Sequence, residues 1–494
     1  MPSPSDPVFE EASSTDLLIQ HFLRRVGFGA RQDEIDAIKR SVSTAGQAVD
    51  LVLDYESIPD DVDSKIGQPG YVGMTSSGAF SPSTNIADAR QRWLFRMLHT
   101  SRPLQEKMTL FWHNHFATGY NKVNNDIGDG TRYMAAKASE DAAGVTGQIE
   151  MLRANALGNF SDILLNVARD VAMVSWLDGR TNTRTRPQEN FAREIMELFT
   201  VGVGRYTEED VYAGARVFTG WNLRRVGTGT AQHYEFFFNA GQHDLTAKSF
   251  TFPIYAGGSA TIPARAAASG AQDGLDLITA LANSPNTANY LSTKLYKFFI
   301  SEIGDPSPVV ISRCAQAYLA NGTSIKALMR ELLTSNEFWS NQWNRYAWPV
   351  EFVVRALKDF GWQGFSLNSA LAPLSNMGQI LFEPPDVAGW DLGQSWFSSG
   401  AMLSRINFAS TLAANQRFNL AAAARGGGIA GTPDLLLAGV LGLSQVPPFS
   451  SGVATELLAY LRTNGTWTGS DAQLRVKVPG LIHLIAGSPE YQLQ

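Results

Sequence analysis

From Leu17 to Val26 apolar residues recur every three or four positions, and the same spacing returns along most of the chain. Side chains so spaced share one face of an α-helix. The pattern predicts helices over 17–26, 32–42, 45–55, 87–99, 104–116, 130–157, 161–177, 187–200 and 208–218. Ser13, Ser14, Thr15 and Asp16 offer N-caps to the first. Pro187 suits a first helical turn, and Thr207 with Asp210 three residues later reads as a capping pair. Residues 58–84, rich in Gly, Pro, Ser and Asp, form a long loop. Between 221 and 255 the period shortens toward two, as in Tyr234-Glu-Phe-Phe-Phe238 and Ser249-Phe-Thr-Phe-Pro-Ile-Tyr255, which predicts a small β-hairpin or two. Helical spacing resumes over 270–283, 287–301, 308–320, 324–334, 348–360, 401–416, 433–441 and 452–463. A turn-rich segment interrupts it at 382–400, and Gly426–Gly428 marks a flexible connection.

The fold class that follows is mainly α, a multi-helix globular bundle with a small β-hairpin insertion near 221–255. Its expected organisation is a loose segment at 1–13, a helical block at 14–220, the β/loop insertion at 221–269, and a second helical block at 270–494 packed with the first as one large domain. Hydrophobic residues make up 44% of the 494 and charged residues 17%, which fits a chain that buries a sizeable core. Forty basic and 46 acidic side chains leave a net charge of -6 without a Lys/Arg-rich run, so a nucleic-acid partner is disfavoured. Cys314 is the only cysteine, which excludes an intrachain disulfide and a cysteine-based zinc site. No run of about 18 apolar residues predicts a membrane span, and the opening residues lack the pattern of a signal peptide.

Candidate chemistry concentrates in a few segments. Phe111-Trp-His-Asn-His-Phe116 carries two histidines two positions apart; on a helix His115 joins the stripe of Leu104, Met108 and Phe111, while His113 points about 200° away. In Pro187-Gln-Glu-Asn-Phe-Ala-Arg-Glu-Ile-Met-Glu-Leu-Phe199 the helical period sets Asn190, Glu194 and Glu197 on one polar stripe beside the apolar Phe191, Ile195, Leu198 and Phe199. Glu189 and Arg193 form an i, i+4 pair on another face. Two carboxylates and an amide bordering a core suit metal ligation, acid/base work or an internal ion-pair network. Arg216, within an apolar helix, requires an acidic partner, for which Glu194, Glu197 and Asp210 stand as candidates. His243-Asp244 with Lys248, and Glu383-Pro-Pro-Asp-Val-Ala-Gly-Trp-Asp391 with Trp396, add acids and aromatics of the kind that furnish carbohydrate clefts. No Gly-x-Ser-x-Gly elbow, His-Glu-x-x-His pair, Rossmann fingerprint or EF-hand loop occurs.

Five blocks, Phe111–Phe116, Glu189–Thr200, Gly204–Val211, Phe218–Trp221 and Glu383–Trp390, together with Leu23-Arg-Arg-Val-Gly-Phe-Gly29, resemble in content and order the signature of the bacterial family of domain of unknown function 1800. The resemblance implies no particular activity. It does imply an exported or periplasmic setting and a sulfatase-like protein as partner.

The leading expectation is a hydrolase acting on a carbohydrate or other polar polymer. Glu194, Glu197, His113 and Asp386 are its expected catalytic groups, and Arg193, Arg216, Asn190, Trp112, Trp221 and Trp390 its substrate-binding residues. A rival is a non-catalytic binding or assembly protein in which the same polar residues form a buried structural network. A third reading is a hydrolase or oxidoreductase dependent on a divalent metal held by His113, His115 and Glu194.

Overall fold

Helix Pro103–His115 is apolar or internally paired on every side, and all of its residues from Leu104 through His113 are buried. Helix Pro349–Phe360 is buried along its whole length. A helix hydrophobic all round belongs at the centre of a large core, and these two stand there, linked by the ion pair of Lys107 Nζ with Glu351. The computed structural model describes residues 12–414, 424–444, 446–447 and 449–494. One hydrophobic cluster runs from Ile19 to Tyr491. Helices from distant parts of the chain meet in it: Ala45–Leu53 lies on Ile325–Leu333, Phe160–Arg169 on Ala271–Ala282, and Ile86–His99 on helix 349–360.

The fold is mainly α, with two small antiparallel hairpins. Trp221–Val226 pairs with His233–Phe238 in the register Trp221 opposite Phe238, and Lys248–Ser249 pairs with Thr261–Ile262. Polar anchors lie beneath the second hairpin. Asp273, wholly buried, accepts from Lys248 Nζ at 2.5 Å and from Arg265 Nη1 at 2.6 Å, and stands 3.2 Å from His243 Nε2.

Several boundaries differ from the helical period, each for a local reason. The 130–157 segment is three short pieces, Gly130–Ala135, a 3₁₀ turn at Ala138–Glu140 and Gln148–Ala154. The break lies at Gly147, where a Cβ would come within 2.5 Å of the Ala135 nitrogen. The 161–177 segment divides at Asp170, whose carboxylate caps Met173 N at 2.9 Å and starts Val171–Trp176. Helix Asn190–Glu197 begins three residues after Pro187, because Gln188 N donates to the Asn182 side chain at 3.0 Å. The first helix spans Ala12–Val26, so the positions of Ser13 to Asp16 fall within it. The expected loose segment lies outside the described residues as far as residue 11, as do the last two positions of the expected 401–416 helix. Thr207 and Asp210 do form a capping box at the head of Glu208–Val217. Tyr120–Ile127, Asn368–Asn376 and Asp471–Ala486 are helices that the spacing did not reveal, the last two with an internal proline. Gly426–Gly428 close a turn, Gly428 N donating to Arg425 O at 3.0 Å.

Candidate functional site

The C-terminal end of helix 103–115 presents three consecutive polar side chains, each holding a different piece of backbone. His113 Nε2 accepts from Phe382 N at 3.1 Å. Asn114 Oδ1 accepts from Trp390 N at 2.6 Å. His115 Nε2 donates to Phe199 O at 3.0 Å. The two histidines are therefore opposite neutral tautomers, His113 protonated on Nδ1 and His115 on Nε2. Burial pushes the pKa of His113 down to about 3 and that of His115 well below its usual value, with Lys294 adding to the latter. Rings of Trp93, Phe382 and Trp390 surround His113, and Phe111, Trp112, Phe116, Phe160 and Phe199 surround His115. The helical spacing places them apart, and the structure keeps them apart. The structure does not bring His113, His115 and Glu194 together as one ligand set, and it places the Nε2 of His113, an expected acid/base group, on the Phe382 backbone. Both Nε2 atoms are spent on backbone, and among the described residues no group of three or more His, Cys, Asp or Glu side chains is placed to hold a metal ion.

The bracket fixes two segments against each other. One is the end of helix 190–197, held at Phe199 O. The other is the loop 382–390, held at both ends, with further ties from Tyr120 N to Phe382 O at 2.8 Å and from Asn121 N to Glu383 Oε2 at 2.9 Å. Gly389 at φ +86 lies directly on Asn114, where a Cβ would come within 2.4 Å of Oδ1; only glycine accepts both that backbone and that approach. As a result Asp386, exposed on the loop, acts electrostatically on Glu194 of the helix.

Around Glu194 the acids are unequal. Ala192, Ile195 and Met196 face the core, leaving Glu194 and Glu197 half-buried on the border. Glu197 Oε2 accepts from the Tyr206 hydroxyl. The Glu194 carboxylate has neither hydrogen-bond nor ion-pair partner among the described residues. Its burial, then the charges of Glu197 and Asp386, push its pKa above the ordinary Glu range against the opposing Arg193. Tyr290 donates to Leu198 O at 3.1 Å; burial and Glu197 push its phenol up to about 12. One turn on, Lys294 is half-buried with its amine 5.4 Å from the Tyr290 ring centre, and burial pulls its pKa down to about 8. Asn114, Tyr206, Tyr290 and Lys294 were not among the expected site residues. Tyr206 lay within a singled-out block; Tyr290 and Lys294 come from a helix more than 90 residues away, and no local pattern marks them.

The remaining candidates are used elsewhere. Arg193 binds Glu208 through two bonds at 2.9 and 2.7 Å and Glu189 at 3.2 Å. Arg216 is half-buried and pairs with Asp244 at 3.0 Å, not with Glu194, Glu197 or Asp210; Asp210 is satisfied by Thr207 and Thr251. Asn190 is exposed and donates to Asp178 Oδ2 at 2.9 Å. Trp112, Trp221 and Trp390 are buried, Trp112 donating to Ala156 O at 2.9 Å, so none of the three offers an open ring face to a sugar. Trp390 does, with Trp396, wall a cavity of about 250 Å³ beside the loop, edged by Asn376, Asp391, Ser395 and Ser398.

Four of the five blocks singled out in the sequence thus meet at helix 190–197, and the fifth, Glu383–Trp390, is tied to helix 103–115 beside it. His115 reaches it from one side and Tyr206 from another, Glu208 pairs with its Arg193, and Phe218 packs on its Phe191 with ring centres 4.8 Å apart. No curated protein and no solved structure matches the chain. A family model described as protein of unknown function (DUF1800) matches residues 21–493. Nearly the whole chain is covered, and it belongs to the DUF1800 family.

Proposed function

We propose that the protein is a hydrolase of a polar polymer, a polysaccharide in the first instance, with Glu194 as its general acid. The observation that carries this reading is the Glu194 carboxyl itself. It is half-buried, free of any partner among the described residues, and set in the field of Glu197 and Asp386, so it retains its proton to a higher pH than an ordinary glutamate. A general acid needs that property, and cleavage of a glycosidic bond needs a second, ionised carboxylate near it. In the proposed step Glu194 gives its proton to the leaving oxygen while Glu197 or Asp386 takes one from water, whose hydroxyl completes the other product. The polar-edged cavity by Trp390 and Asp391 supports a substrate that extends past the acids along the same loop. On this reading the polymer is the partner, and the sulfatase-like protein implied by the resemblance is a second one.

The rival assembly reading draws on the Nε2 atoms of His113 and His115 and the ion-paired Arg193 and Arg216, which hold segments together. One assay separates the two: release of reducing ends from a panel of neutral, acidic and amino polysaccharides by wild type, Glu194→Gln and Glu197→Gln. Hydrolysis is expected from the wild type, with a loss of roughly 100-fold or more in Glu194→Gln. Cleavage of no polymer, or cleavage unaffected by Glu194→Gln, would refute the acid role and leave assembly as the better account.

A further inference from the structure

Helix Ile86–His99 carries Arg90 against the segment that leads into loop 382–390. Arg90 Nε donates to Leu381 O at 2.9 Å, which fixes the plane of the guanidinium. Its two Nη nitrogens have neither hydrogen-bond nor ion-pair partner among the described residues, and neither is sealed from solvent. Arg90 lines a cavity of about 100 Å³ together with Leu371, Leu374, Ser375, Ile380 and Leu381. The carboxylate whose charge acts on it, Glu383, gives Oε2 to Asn121 N at 2.9 Å and forms no ion pair with Arg90. Burial pulls the pKa of Arg90 below its ordinary value against Glu383 and Tyr120, yet a guanidinium stays charged at neutral pH.

A half-buried cation that has given up water without gaining a counter-ion is costly, and an anion entering the cavity removes that cost. With Nε spent on Leu381 O, the Nη1–Nη2 edge is the one left open, and it matches the two oxygens of a carboxylate. Ser375 adds an exposed hydroxyl at the rim. Leu371, Leu374, Ile380 and Leu381 make the rest of the wall aliphatic. Such a wall rewards a hydrocarbon tail and would leave oxygens of a phosphate without donors. A water takes about 30 Å³ in the liquid, so the space suits a guest of a few heavy atoms. From the open guanidinium edge, the missing counter-ion and the aliphatic walls, we propose that this cavity binds a small monocarboxylate with a short hydrocarbon tail, whose two oxygens accept from Arg90 Nη1 and Nη2. The site rests neither on Glu194 nor on any hydrolase activity.

The test uses the full chain with isobutyrate, its uncharged isostere isobutyramide, and inorganic phosphate. By isothermal titration calorimetry isobutyrate is expected to bind one to one, roughly tenfold or more tighter than either of the others. Phenylglyoxal, which modifies arginine side chains, locates the site in the unaltered protein. At several times its dissociation constant, isobutyrate should slow modification of Arg90, read by peptide mass spectrometry, about fivefold or more, and isobutyramide should not. Arg90→Met removes the fork, and where its circular dichroism matches wild type it should bind isobutyrate roughly tenfold or more weakly. No binding of isobutyrate, modification of Arg90 that isobutyrate leaves unchanged, or unaltered binding in a folded Arg90→Met would overturn the site. Equal binding of isobutyramide would overturn the role of the charge, and equal binding of phosphate that of the aliphatic walls.

Discussion

Glu194 is an acid whose surroundings favour its proton. Its folded pKa is raised above the unfolded value of about 4.3. The stability tied to that proton is fully present below the unfolded value and is lost as the pH rises through the folded one. At neutral pH the ionised carboxylate therefore costs the fold something, and Glu194→Gln, uncharged throughout, should raise the melting temperature at pH 7 by about 1–2 °C. The gain should shrink as the pH approaches 4. Melting curves of the two proteins across this range check it, and a variant less stable than wild type at pH 7 would show that Glu194 has an ionic partner after all. The helical period alone put Glu194 and Glu197 on one border of the core. It did not tell which of them was engaged, because Tyr206 and Asp386 arrive from other segments.

At the scale of elements, helix 103–115 is a clamp, and its last turn decides where two other segments lie. Asn114 is the most direct point of attack. Its amide oxygen takes Trp390 N, and its nitrogen approaches Trp390 O at 3.4 Å. Asn114→Ala leaves that buried backbone N–H without an acceptor, at a cost of about 1–3 kcal/mol. Most of the cost should fall on the loop. Hydrogen exchange is expected to quicken across 382–391, with the helices on either side little changed; uniform quickening of the whole chain would mean that the clamp serves global stability instead. Local patterning foretold the helix and the opposite facing of its two histidines. The backbone groups they bind stood outside its reach, since Phe199 and Phe382 lie 84 and 269 positions away from their histidines.

The whole molecule is held across its length by ionic groups buried in the core. Glu351 is fully buried, accepts twice from Arg345 at 2.8 Å and from Trp348 N at 2.8 Å, and pairs with Lys107 of the first helical block. Burial alone would raise its pKa, yet Arg345 and Lys107 hold it below the usual carboxylate range. A second centre, Glu106, receives Arg96 at 2.7 Å, Arg153 at 2.8 Å and the Trp93 indole at 3.1 Å. Removing the charge at the hub leaves the buried Lys107 without its carboxylate and Arg345 with only Glu302, 3.7 Å away, so Glu351→Gln should cost about 3–5 kcal/mol. Denaturant unfolding followed by tryptophan fluorescence measures it, and a loss under 1 kcal/mol would show that the pair contributes specificity rather than stability. No run of charge or special spacing marked Glu351 or Glu106 in the sequence, because their partners come from up to 244 positions away.

The sequence by itself determined the class of the fold, the helical faces, the Thr207–Asp210 cap and the blocks that identify the family. These depend on residues within a turn or two of each other, where backbone geometry fixes who faces whom. Only the tertiary structure decided which polar groups are spent and which are free. Pairing depends on segments brought together by burial of their apolar faces, and the one-dimensional pattern carries no record of that. So His113, His115, Arg193 and Arg216 proved to be engaged in packing, Trp112, Trp221 and Trp390 turned inward, and Glu194 was left without a partner for its carboxyl among the described residues.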